Sequence, residues 1–259
     1  MEEKLRSLFF TGNFPQLLDY KGRVSESISL LMSRAQVLMG KVPSSDLPNL
    51  KVLANYQKTG EPSKLANDPL EELLSLIFLL NSDQESVVID SIKLDSLEKK
   101  ILFATALLKL RRPDVASSSL KAALNENEEE GAFSLILACT CFIKGEFEEC
   151  ASLTNELISK YGESPVLLNL YALSLMEEGN FPRAENLLRK AMDQSKEFGV
   201  VSYLEMSLRN LIACKRMVGE GFADIEQYAL FRELQRVNPR SEYFIALKAA
   251  NDLFDQSLS

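Results

Sequence analysis

Apolar residues in this chain recur with the spacing of a helix face, not with the alternation of a strand. Leu168, Tyr171, Ala172 and Leu175 stand at i, i+3, i+4 and i+7. After a break at Gly179-Asn180, residues Phe181, Ala184, Leu187, Leu188 and Ala191 make a second stripe. When residues 97–198 are written in three lines of about 34 residues, the columns agree. Ala104, Ala138 and Ala172 share a column, beside Phe103, Leu137 and Tyr171. Ala116, Cys150 and Ala184 share another, as do Leu107, Cys141 and Leu175, and Ala123, Leu157 and Ala191. Each line predicts two helices joined by a turn, with small residues where the helices cross closely. The second line turns at Gly145-Glu146-Phe147. The first departs with Arg111-Arg112-Pro113, where Pro113 can open the next helix because a first-turn N–H has no helical partner.

A period of this length is that of the tetratricopeptide (TPR) repeat, one helical hairpin per copy. The expected fold is all-α, a TPR-like α-solenoid: a right-handed superhelix of helical hairpins forming one unit over residues 1–259. Residues 97–198 hold its three regular repeats. Residues 1–96 read as degenerate N-terminal repeats. There Gly12-Asn13-Phe14-Pro15 repeats the letters of Gly179-Asn180-Phe181-Pro182 and predicts the same turn. Ile28, Leu31, Met32 and Ala35 continue a helical face. Prolines and glycine break up residues 41–69, leaving room for a short helix from Leu50 to Lys58. Leu70 to Leu80 is apolar nearly all round, which predicts a buried helix, and Asn81-Ser82-Asp83 offers caps for a helix from Gln84 to Leu94. Residues 199–259 supply a C-terminal repeat: a stripe from Tyr203 to Ile212, a turn at Gly219 to Phe222, a helix from Ile225 to Val237, and a capping helix from Tyr243 to Leu258.

Composition narrows the chemistry. The chain has no histidine and no tryptophan, which removes the commonest general base and metal ligand and every Ser-His or Cys-His pair. The 11 glycines are scattered at turns, with no phosphate-binding loop. Adjacent carboxylates such as Glu148-Glu149 splay around a helix. The expectation is no enzyme, no cofactor and no metal. Cys139, Cys141, Cys150 and Cys214 read as buried free thiols of a reducing compartment. A net charge of −8 without a basic face argues against nucleic acid. The acidic start, Met1-Glu2-Glu3-Lys4, lacks the pattern of a signal peptide. The densest apolar run, Leu73 to Leu80, falls far short of the roughly 20 residues that span a bilayer, so a soluble protein with indirect membrane association is expected.

What remains is surface. In a TPR superhelix the first helix of each repeat lines the concave side, and three columns should face inward. They are Ile101, Leu135 and Asn169; Thr105, Cys139 and Leu173; and Leu108, Phe142 and Met176. Most are apolar, and the Lys/Arg/Asn array of a carboxylate clamp is missing. An exposed apolar stripe of this length marks an interface, so a partner-binding groove is expected here. The alternative is a superhelix tight enough to fill its own groove.

Three stretches stand out by their order along the chain: the opening Leu8-Phe9-Phe10-Thr11-Gly12-Asn13-Phe14-Pro15-Gln16-Leu17-Leu18, the later Leu208-Arg209-Asn210-Leu211-Ile212, and Asn238-Pro239 through Asn251-Asp252-Leu253-Phe254-Asp255. With them the chain resembles the epsilon-COP family, the epsilon subunits of the COPI vesicle coat (coatomer). The first is similar to that family's "Tyr-x-Gly-Asn-aromatic" start, the second to its late "Leu-x-Asn-Leu-Ile" helix and the third to its ending. No histidine precedes Pro239, and residues 41–69 match poorly. The resemblance implies structural work: binding of the C-terminal domain of the alpha coat subunit, whose extended segment the superhelix encloses, alongside other COPI coat subunits. It implies a cytoplasmic protein, peripheral on Golgi membrane and COPI-coated vesicles, serving retrograde Golgi-to-endoplasmic-reticulum and intra-Golgi transport. The residues by themselves leave a second role open, a TPR adaptor outside vesicle traffic such as a chaperone cofactor or assembly scaffold.

Overall fold

The computed structural model describes residues 1–39, 53, 69–125, 130–218, 225–239, 241 and 243–246. Among the described residues every regular element is a helix. Three come from the N-terminal segment: α1 (Glu2–Phe10), α2 (Phe14–Leu18) and α3 (Glu26–Leu38). A hairpin follows, α4 (Pro69–Asn81) and α5 (Glu85–Ser91). Four longer hairpins complete the solenoid: α6 (Leu97–Lys109) with α7 (Pro113–Asn125), α8 (Glu130–Lys144) with α9 (Phe147–Tyr161), α10 (Pro165–Glu177) with α11 (Phe181–Phe198), and α12 (Val201–Met217) with α13 (Ile225–Val237). The short helix expected around Leu50, the acidic joint at 126–129, the turn at 219–222 and most of the capping helix lie outside the described residues.

Among the described residues one turn recurs five times. At Gly12, Gly145 and Gly179 the backbone is left-handed, with φ of 77°, 82° and 79°. The following amide then reaches back over the helix end: Asn13 to the Leu8 carbonyl, Glu146 to Cys141 and Asn180 to Leu175, at 2.8–2.9 Å. This is the Schellman closure, which satisfies carbonyls that a helix end otherwise leaves unpaired. Arg111 (φ 57°) and Asp83 (φ 56°) adopt the same shape, with Arg112 bonded to Leu107 and Gln84 to Leu79. The first regular repeat therefore departs in its letters and keeps the geometry. The caps expected at Asn81-Ser82-Asp83 are not caps. Asn81 ends α4, Asp83 takes the left-handed position, and its carboxylate meets Lys109 Nζ at 3.3 Å. Helix α5 starts at Glu85 with no side-chain cap, and ends at Ser91, short of Leu94.

The small columns sit where the helices cross. Ala104, Ala116, Ala138, Cys150, Ala172, Ala184 and Ala191 are fully or almost fully buried. Helix α4 buries Leu73, Leu74, Leu76 and Leu80, as its apolar surface predicts. Side chains cap two first helices: Ser96 Oγ accepts from the Lys99 amide and Ser164 Oγ from that of Leu167. At the C-terminal end, buried Lys215 of α12 reaches Glu226 of α13 at 2.9 Å and Glu185 of α11 at 3.3 Å. Arg189 meets the same two carboxylates from α11.

Candidate partner groove and the strap across it

The three inward columns have unequal fates. In the first, Ile101 is half-buried, while Leu135 and Asn169 are buried. Asn169 is held by its own protein: its amide donates to the Pro165 carbonyl at 2.7 Å and to Ser207 Oγ at 2.8 Å, and its oxygen accepts from Asn210 at 2.8 Å. This polar strut ties α10 to α12. In the second column Thr105, Cys139 and Leu173 are all half-buried; the Thr105 hydroxyl donates to the Ile101 carbonyl at 2.8 Å. In the third, Leu108 packs in a cluster with Leu107 and Ala116, and Met176 in one with Leu175 and Leu208. Phe142 stays half-buried, its ring edge-on to Phe147 at 5.4 Å. Five of the nine thus keep some exposure and run across consecutive first helices: Ile101 and Thr105 on α6, Cys139 and Phe142 on α8, Leu173 on α10.

Residues 1–39 explain part of this. They lie across the N-terminal ends of four successive first helices. Arg34 pairs with Glu98 on α6 at 3.1 Å. Ser7 lies against Gly131 on α8 so closely that a Cβ there would stand 2.6 Å from the Ser7 Cβ. Asn13 donates to the carbonyls of Tyr161 and Glu163 at 2.9 and 3.2 Å, and Ser164 Oγ donates to the Thr11 carbonyl at 2.6 Å, both just ahead of α10. The Phe14 ring stacks on Tyr203 of α12 with centroids 5.9 Å apart, and burial pushes the Tyr203 hydroxyl up to about 12. A side chain at Gly12 would be strained and crowded, because its φ is left-handed and a Cβ would come 3.0 Å from both Tyr203 and Val166. Leu135 belongs to the apolar cluster that also holds Leu5, Leu8 and Phe9 of this strap. Sequence patterns identified the Gly12-Asn13-Phe14-Pro15 turn but carried no signal of where it docks, since its partners lie about 150 positions away.

Burial raises the titration of all four thiols. Burial pushes Cys139 up to about 12. Burial, then the Glu149 and Glu146 carboxylates, push Cys141 up to about 11. Among the described residues, Cys141, Glu146 and Glu149 can bring ligand atoms near one point, and a hydrogen bond from Lys144 engages Glu146 and holds its carboxyl below the usual range. All four cysteines are free. Among the described residues, no helix is long and apolar enough to cross a membrane.

Fold and site define an all-α solenoid of helical hairpins, with an interrupted apolar stripe along its first helices. The family model described as Coatomer epsilon subunit matches residues 44–259, and the chain belongs to that family. Two rice proteins named Coatomer subunit epsilon-2, from Oryza sativa subsp. indica and subsp. japonica, are each 24% identical to it over 152 residues, which cover 58% of this chain and 48% of the relative. The match thus spans about half the length of those relatives. The family match takes in residues 44–69, which by their motifs matched poorly. It leaves out the strap, whose Gly12-Asn13 turn carries part of the resemblance.

Proposed function

We propose that this protein is a non-enzymatic subunit of the COPI coat that holds an extended apolar segment of a larger subunit, the C-terminal domain of the alpha coat subunit. The observation that carries this reading is the run of half-buried side chains Ile101, Thr105, Cys139, Phe142 and Leu173 on consecutive first helices of a chain in this family. Burying such a stripe releases roughly 25 cal/mol per Å² of apolar area, less the cost of ordering the partner. The four buried members of the columns, Leu108, Leu135, Asn169 and Met176, act beneath it by fixing the helices that present it. In this role the protein is cytoplasmic. It reaches Golgi membrane and COPI-coated vesicles only through the coat, and it serves retrograde Golgi-to-endoplasmic-reticulum and intra-Golgi transport.

The test is purification of the tagged full chain. Stoichiometric recovery of the alpha coat subunit is the expected result, lost when Phe142→Asp and Leu173→Asp are combined while the helical circular dichroism signal is kept. Binding that survives the double change removes the groove from the reading. Recovery of a chaperone in place of coat subunits supports the adaptor role instead.

A further inference from the structure

The turn between α6 and α7 keeps the geometry of its counterparts and changes their letters. Leu110-Arg111-Arg112 stands where the next two turns have Lys144-Gly145-Glu146 and Glu178-Gly179-Asn180. The closing bond needs only the backbone: the Arg112 amide donates to the Leu107 carbonyl at 2.8 Å. Arg111 takes the left-handed shape, φ 57°, that glycine adopts at little cost. A side chain at 111 thus carries strain that closure of the turn does not require, which marks the position for another role.

Both arginines are exposed, and among the described residues neither joins an ion pair. Charges on the flanking turns are matched. Lys109 meets Asp83 at 3.3 Å and Glu85 at 2.9 Å in the turn before, and Lys144 pairs with Glu146 in the turn after. Asp114, beside the arginines, is exposed and within electrostatic reach of Lys144. These contacts set three turns side by side along one edge of the solenoid. Four aliphatic side chains of that edge keep 38–49% of their surface in water. Leu110 and Val115 belong to this turn, Val87 follows Glu85 by two residues, and Ile143 precedes Lys144. An apolar edge with two unmatched guanidiniums at its middle complements a segment that is both acidic and apolar.

We propose that this edge docks an acidic, apolar segment of another protein, with Arg111 and Arg112 gripping its carboxylates. Arginine suits the contact because its planar fork meets a carboxylate in two parallel hydrogen bonds. A membrane surface fits less well. Polybasic recognition of lipid draws on about 4–8 basic residues, and this chain carries a net charge of −8. The proposal does not depend on the groove.

The test titrates the full chain with a short labelled peptide alternating glutamate and leucine, beside its lysine–leucine counterpart. The glutamate peptide should bind about tenfold tighter than the lysine one, and added salt should weaken it. Arg111→Gly combined with Arg112→Ser should cost about tenfold in its affinity without lowering the urea midpoint. Phe142→Asp combined with Leu173→Asp should leave that affinity unchanged. No binding, equal binding of the two peptides, or affinity indifferent to the arginines overturns the proposal. So does a loss that follows the groove change instead, or one that comes with a lower urea midpoint. Arginine-dependent retention on phosphatidylserine–phosphatidylcholine vesicles, with no hold on the peptide, assigns the edge to lipid and overturns it as well.

Discussion

Arg111 stands where the later repeats use glycine, in a backbone shape that disfavours a side chain. The Schellman bonds beside it are made by the backbone, so glycine makes them equally well. Arg111→Gly should therefore stabilise the protein by about 0.5–1 kcal/mol, read as a higher urea midpoint with an unchanged slope. Asn169 gives the opposite case. It occupies a column otherwise filled by Ile101 and Leu135, so pattern alone assigns it to the groove wall. Its three hydrogen bonds instead make it a strut between α10 and α12. Asn169→Ala leaves Ser207 and Asn210 without that partner inside the fold, at a cost of about 1–3 kcal/mol, measurable as a lower melting temperature.

Among the helices, α13 is docked by charge as well as by Leu230 and Leu234. Hydrogen bonds from Lys215, then Arg189, hold the Glu226 carboxyl below its ordinary 4.5. Burial works to lower the Lys215 value, but its bonds to Glu226 and Glu185 outweigh that and leave it above 10.5. A depressed carboxyl contributes stability that is present above its unfolded value and lost as pH falls through the folded one. A raised lysine contributes below its unfolded value and loses that as pH rises past the folded one. The clamp is therefore whole across the neutral range. Glu226→Gln should melt earlier than the parent at neutral pH, and the gap should close as pH falls below about 5. A gap that does not narrow at all as pH falls would assign the effect to packing.

Taken whole, the described residues form a repeat protein whose N-terminal segment folds back on later hairpins. Most solenoid hairpins touch only their sequence neighbours, yet the strap joins α1 to α8 and α9 and sets residues 11–14 against α10 and α12. Of the nine candidate groove residues the strap buries Leu135, whereas Asn169 is buried against α12 and Leu108 and Met176 in the hairpin cores. The repeat register, the hairpin boundaries and the small crossing positions were legible beforehand, because each depends on residues within one turn or one repeat. The strap was not, because its hydrogen bonds end on main-chain carbonyls whose availability no side-chain pattern records.

Local periodicity alone determined that this chain is helical, where its regular hairpins fold and which columns form the crossings: burial of a helix face repeats every 3.6 residues, and so it leaves a trace in the letters. Tertiary structure alone decided that Asn169 is a strut, that Arg111 and Asp83 can stand in for glycine, and that residues 1–39 fold back across later first helices. Those outcomes depend on groups brought together from distant parts of the chain, where the free energy of a contact has no counterpart in sequence spacing.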